Sequence, residues 1–172
     1  MSNIKSDFLP VLSTYFTDYL PISKGLSVNS IRSYQYAFQL LFAFLKDEKG
    51  LPPGKVNFKN TGGAVIEEFL AWLEGSRGCS IISRNQRLSA ISAFAGYAIN
   101  KRPAEALGFY TAVSNIPFKK KPKRIPVYLT RKEISILLRL PSGRTVASAR
   151  DKVLLSALYA TGARAQESKH HE

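Results

Sequence analysis

Cysteine, histidine and acidic side chains are all scarce in this 172-residue chain. With one cysteine, Cys79, no internal disulfide can form, which fits a reducing compartment. His170 and His171 are adjacent to each other and remote from Cys79. No metal-ligand spacing results, so neither metal nor other cofactor is expected. No stretch approaches the roughly 18 to 20 consecutive apolar residues that span a bilayer, and no charged segment followed by an apolar one opens the chain. A cytoplasmic protein away from membranes is expected.

The shortage of acid is the informative one. Twelve Asp and Glu face 25 Lys and Arg, a formal charge of +13, and such an excess favours a polyanionic partner because neutralised phosphates release counterions. The excess is unevenly spread. Residues 1–118 hold twelve cations and eight anions, whereas residues 119–172 hold thirteen and four. A hydrophobic content of 45% is ample for a core, in one ordinary domain or in a small domain joined to part of another.

Apolar residues recur at helical spacing along most of the chain, and an all-α fold follows. A first helix is expected over Phe8 to Leu20, with Leu9, Leu12, Phe16 and Tyr19 inward and Pro21 and Gly25 as its stop. A second runs from about Ser27, its N-cap, to Lys49, burying Ile31, Tyr34, Phe38, Leu41, Phe42 and Leu45. A Pro/Gly-rich connection precedes a third helix over Val65 to Leu73, and a fourth covers about Ser80 to Asn100 with Leu88, Ile91, Ala95 and Ile99 inward. A short fifth helix is expected around Ala104 to Ala112.

Two helix openings carry polar groups suited to nucleic acid. SVNSIRSY, at the start of the second helix, combines short capping side chains with Arg32 and Tyr34. A helix N-terminus of this kind donates to phosphate through backbone and side chains together. The fourth helix opens with Ser83, Arg84, Asn85 and Arg87, which suits a helix lying on a duplex, arginine for phosphate or guanine and asparagine for adenine. A solvated polar face accounts for that segment equally well.

Residues 117–126, PFKKKPKRIP, carry Lys119, Lys120, Lys121, Lys123 and Arg124. Its prolines forbid a regular helix and its charges repel one another into an extended linker able to follow several phosphates. Beyond it, Thr130 and Glu133 form a capping box. Ile134, Leu137 and Leu138 make the helix they open amphipathic, and Pro141-Ser142-Gly143 ends it. A last apolar helix from Ser148 or Ala149 stops at Thr161-Gly162, because glycine takes the left-handed conformation that closes helices. Arg164 follows, with Glu167 positioned to orient it; a corner between two helices that holds a guanidinium suits a phosphate.

This order of parts resembles the tyrosine recombinases, the phage integrase family. The resemblance extends over nearly the whole chain, and its most specific elements are the LTRKE helix entry and ATGARAQE, which is similar to the family's first arginine box, TG-x-R-x-x-E. It implies a SAM-like core-binding bundle of four to five helices over 1–116, a basic linker over 117–128 and, over 129–172, the first helices of an incomplete catalytic domain. It also implies a C-shaped clamp around double-stranded DNA, joined by other recombinase protomers, with strand cleavage by a tyrosine and no metal. Arg164 matches the first catalytic arginine and Glu167 its support. Arg32, Tyr34, Arg84, Asn85 and Arg87 would then face DNA. The sequence departs from the pattern after the arginine box: no H-x-x-R and no tyrosine follow.

The expected function is therefore the DNA-binding N-terminal part of a site-specific recombinase or integrase, bound to duplex but unable by itself to complete strand transfer, from a gene interrupted downstream. The alternatives are a stand-alone module competing for recombinase sites and a basic RNA-binding helical protein.

Overall fold

The computed structural model describes residues 7–120 and 128–162, and the chain divides into two compact units, Met1–Pro122 and Lys123–Glu172. Among the described residues every regular element is helical, as the apolar periodicity requires. The first unit holds α1 (Phe8–Thr14), a π-helical continuation over Tyr15–Ser23, α2 (Val28–Lys49), a 3-10 turn at Pro53–Lys55, α3 (Gly63–Gly75), α4 (Ile81–Lys101) and α5 (Pro103–Ser114). The second holds α6 (Arg131–Arg139) and α7 (Val146–Thr161).

Local chemistry sets most of these boundaries. Ser27 caps α2 by accepting from the Ser30 amide, and Gly50, left-handed at φ 60°, closes it while the Leu51 amide returns to the Leu45 carbonyl. Ser80 caps α4 in the same way, accepting from the Ser83 amide. Pro103 then opens α5 at a position where its missing N–H costs nothing. Between α2 and α3 the connection is ordered by side chains: Asn57 Oδ1 accepts from the Lys59 and Asn60 amides, Thr61 donates to the Asn57 carbonyl, and Asp7 Oδ1 accepts from the Phe58 amide. That last bond ties the start of α1 to a loop 51 residues away.

The first helix differs from its expected form. It does not stop at Pro21; the turn widens to π geometry, the Lys24 amide reaches back to the Tyr19 carbonyl, and Pro21 sits inside. A wider turn accommodates a residue with no N–H to donate. The buried set is Phe8, Val11, Leu12, Tyr15 and Leu20, whereas Leu9, Phe16 and Tyr19 are half-buried. The five-residue step from Tyr15 to Leu20 is a π-helical period, which an α-helical template cannot register. Tyr15 is almost completely enclosed, and this burial, with Tyr34 and Tyr19 as lesser causes, pushes its hydroxyl pKa far above the usual tyrosine value.

Aromatic rings fill the centre of the first unit. Phe8 lies against Phe58, Phe94, Phe109 and Phe42, and Phe94 also meets Tyr15 and Phe38, so α1, α2, α4, α5 and the loop before α3 converge on one cluster. Ring pairs at these offset and edge-on geometries add to the burial energy.

The second unit contrasts with this. Its capping box is present, Thr130 accepting from the Glu133 amide while Glu133 accepts from the Thr130 amide, and this hydrogen bonding holds the Glu133 carboxyl below its usual pKa. α7 begins two to three residues earlier than expected because Thr145 caps it, and it ends where expected, at left-handed Gly162. Yet none of its described residues is buried; Val146 is 91% and Leu140 73% exposed. Each apolar side chain left in water forgoes on the order of 1.5–3 kcal/mol. Limited proteolysis is accordingly expected to cut within α6 and α7 while leaving residues 7–119 intact; equal resistance of the two units would refute this.

Candidate nucleic-acid interface

The two polar helix openings singled out in the sequence lie at one end of the first unit. Gln86 Nε2 in α4 donates to Ser33 Oγ in α2 at 2.9 Å, the Arg87 guanidinium lies 4.9 Å from the centre of the Tyr36 ring, and Phe94 packs on Phe38. These pairs advance in the same sense along both helices, so α2 and α4 run side by side with their N-termini at the same end. Each N-terminus carries roughly half a positive charge from its aligned peptides. Each is capped by the same device, Ser27-x-x-Ser30 and Ser80-x-x-Ser83, with the paired hydroxyls in contact.

The side chains at this end take different roles. Arg32 and Asn29 are exposed on the opening turns of α2. Arg87 is half-buried, and its guanidinium carbon lies over the Tyr36 ring. Tyr34 is half-buried and turns inward, packing on the core and lining a cleft with Tyr15, Tyr19, Lys24 and Tyr97.

Arg84 and Asn85 depart from the expected outward face. Both are 6% exposed, and their partners lie in the segment that follows α5. Arg84 Nη1 donates to the Pro117 carbonyl at 3.0 Å and to Asn85 Oδ1 at 3.1 Å. Asn85 Nδ2 donates to the Lys119 carbonyl at 2.8 Å, and its Oδ1 accepts from the Lys119 amide at 3.2 Å. One side-chain amide thus pairs with both backbone groups of Lys119, as a neighbouring β-strand would. Burial follows because these groups satisfy a chain that has no secondary structure of its own.

The basic segment therefore starts at the same end of the unit. Lys119 and Lys120 are exposed, and Lys119 Nζ donates to both oxygens of Glu74 at 2.8 and 2.9 Å. Lys121, Lys123 and Arg124 lie outside the described residues, as do Arg164 and Glu167. Among the described residues no group of three or more His, Cys, Asp or Glu is placed to hold a metal, and no helix is long and apolar enough to cross a membrane.

Sequence reasoning missed Tyr36, Gln86 and Glu74. The repeated S-x-x-S cap was the one local signal that the two helix openings resemble each other. The pairings that join them span 53 residues in the case of Ser33 and Gln86, and no periodicity encodes that.

Comparison with known proteins agrees with this architecture. The family model described as "Phage integrase, N-terminal SAM-like domain" matches residues 14–102, which include both helix openings. The chain is 32% identical over 158 residues to the putative integrase/recombinase y4rC of Sinorhizobium fredii, covering 92% of this chain and 47% of that protein. It is 30% identical over 159 residues to y4rD of the same organism, covering 92% of this chain and 56% of that one. It is also 30% identical over 159 residues to the tyrosine recombinase XerD of Haemophilus influenzae, covering 92% and 50%. The chain spans about half the length of the curated relatives it matches. No solved structure matches. The matched segment takes in more than half of the chain, and the chain belongs to the phage integrase family, of which it carries the N-terminal SAM-like domain.

Proposed function

We propose that these residues are the duplex-DNA-binding part of a site-specific tyrosine recombinase. The observation that carries this reading is the convergence, at one end of the first unit, of two serine-capped helix N-termini, the exposed Arg32, the Tyr36-supported Arg87 and the start of the basic segment at Lys119 and Lys120. Helix N-termini and cations together suit a phosphate backbone, and phosphate contacts fix register without reading bases. The helical unit would grip one side of the duplex while residues 119–124 follow its phosphates. In the second unit, Arg164 would place donors against the non-bridging oxygens of a scissile phosphate, with Glu167 supporting it. The role we assign to the described residues is duplex binding, because the groups that converge there are ones that meet phosphate.

Titration of a fluorescent duplex carrying a recombinase core site, a random duplex and an RNA duplex of equal length tests this. Duplex DNA should bind more tightly than RNA, and affinity should fall steeply between about 50 and 200 mM salt. Preference for RNA would overturn the reading in favour of a basic RNA-binding protein.

A further inference from the structure

We infer that Arg84, Asn85 and Glu74 form a clasp that fixes where the basic segment leaves the helical unit and keeps Lys119 in reserve for a phosphate. The inference deepens the duplex-binding reading and rests on it.

Three observations converge. The Asn85 amide bonds both the N–H and the C=O of Lys119, so it sets the direction of the chain at that residue and does not merely touch it. Arg84 pins the chain two residues earlier, at the Pro117 carbonyl, and Ile116 just before it is buried in the core. Pro117 to Lys119 thus belong to the helical unit.

The third observation concerns charge. Arg84 Nε is the one buried side-chain polar atom without a hydrogen-bond partner among the described residues. It lies 3.6 Å from Glu74 Oε1, too far to bond, while both Glu74 oxygens accept from Lys119 Nζ. A buried donor left unmade is costly, most of all on a charged group. When a phosphate draws Lys119 away, Glu74 is released to move the last few tenths of an ångström onto Arg84 Nε. The bonds that Lys119 gives up are thereby replaced at Arg84, and transfer of the lysine to DNA is made easier. A plain surface ion pair accounts for Lys119 and Glu74 but not for the doubly bonded peptide or the orphaned Nε.

The test uses the full chain, with Asn85→Ala and Glu74→Gln as variants and tryptic cutting between Lys119 and Lys120 as one readout. Asn85→Ala removes the clasp, so cutting should speed up about tenfold as that segment opens locally, with helical circular dichroism unchanged. Glu74→Gln leaves Arg84 an acceptor but removes the charge that holds Lys119. Duplex binding should then tighten by about two- to fivefold with the slope of log affinity against log salt unchanged, because Lys119 meets its phosphate in both proteins and only the contact it leaves differs. Cutting of Asn85→Ala at the wild-type rate, or wild-type duplex affinity in Glu74→Gln, overturns the inference. Should Asn85→Ala lose its helices, Asn85→Asp decides: it keeps the acceptor for the Lys119 amide and loses the donor, and an intermediate cutting rate is expected. If the wild-type chain binds no duplex, the duplex-binding reading fails, while the cutting rates still decide whether the clasp exists.

Discussion

Replacing Lys119, Lys120, Lys121, Lys123 and Arg124 together by glutamine is expected to flatten the salt dependence of duplex binding by up to about 4.5 in the slope of log affinity against log salt, about 0.9 for each cation that meets a phosphate. Between about 50 and 200 mM salt this corresponds to several-hundred-fold of the wild-type loss of affinity. The effect should be nearly the same for a core-site duplex and for a random one, since phosphate contacts carry no sequence information. Binding isotherms at four or five salt concentrations are enough to measure it. Because Lys119 and Lys120 are exposed and Lys119 is anchored through its backbone, the replacement should leave thermal unfolding almost unmoved. An unchanged slope would remove the linker from the interface and leave the helix openings to carry binding alone.

Phe94→Ala is expected to have the largest effect on stability. Phe94 is fully buried in α4 and its ring lies 5.0 Å from that of Phe8, 5.3 Å from those of Tyr15 and Phe38, 6.2 Å from that of Phe109 and 6.4 Å from that of Phe58. Truncation removes contacts to five rings from five different segments, and no single neighbour can collapse to fill the space. A loss of about 3–5 kcal/mol is expected, a large share of the roughly 5–15 kcal/mol by which a domain is stable. Unfolding followed by circular dichroism should show the midpoint for the first unit falling by some 15 °C or more, given about 4–8 °C per kcal/mol in a unit of this size. Leu154→Ala, in the half-exposed surface of α7, is the matched control and should shift that midpoint very little. A Phe94→Ala loss below about 1 kcal/mol would mean that the aromatic cluster is not the organising core.

What could be read from the sequence was what local chemistry decides. The limits of α2 follow from Ser27 and Gly50, the entry of α6 from Thr130 and Glu133, and the end of α7 from Gly162; in each case the deciding groups lie within a turn of the boundary they set. The phase of the first helix was not legible, because the backbone leaves α geometry at Tyr15 and the inward residues change period with it. Arg84 and Asn85 look, within their own helix, like any polar opening. Their burial depends on Pro117 and Lys119, 33 and 34 residues on, and on the absence of regular structure there for its own backbone to bond. Composition indicated a polyanionic partner, and local motifs indicated the helix openings, but which arginines face outward was decided by contacts distant in sequence.

Phe8 bears on how the protein can be divided. The segment that matches the family model begins at residue 14 and ends at 102, yet Phe8, Val11 and Leu12 before it, and Ala106, Phe109, Val113 and Ile116 after it, are all in the core. Recognisable ancestry and self-sufficient folding have different borders here. A piece trimmed to the matched residues would lose seven interior side chains and the Asp7 bond to Phe58, whereas one running from Asp7 to Lys119 keeps the ring cluster, both capped openings and the anchorage of the basic segment.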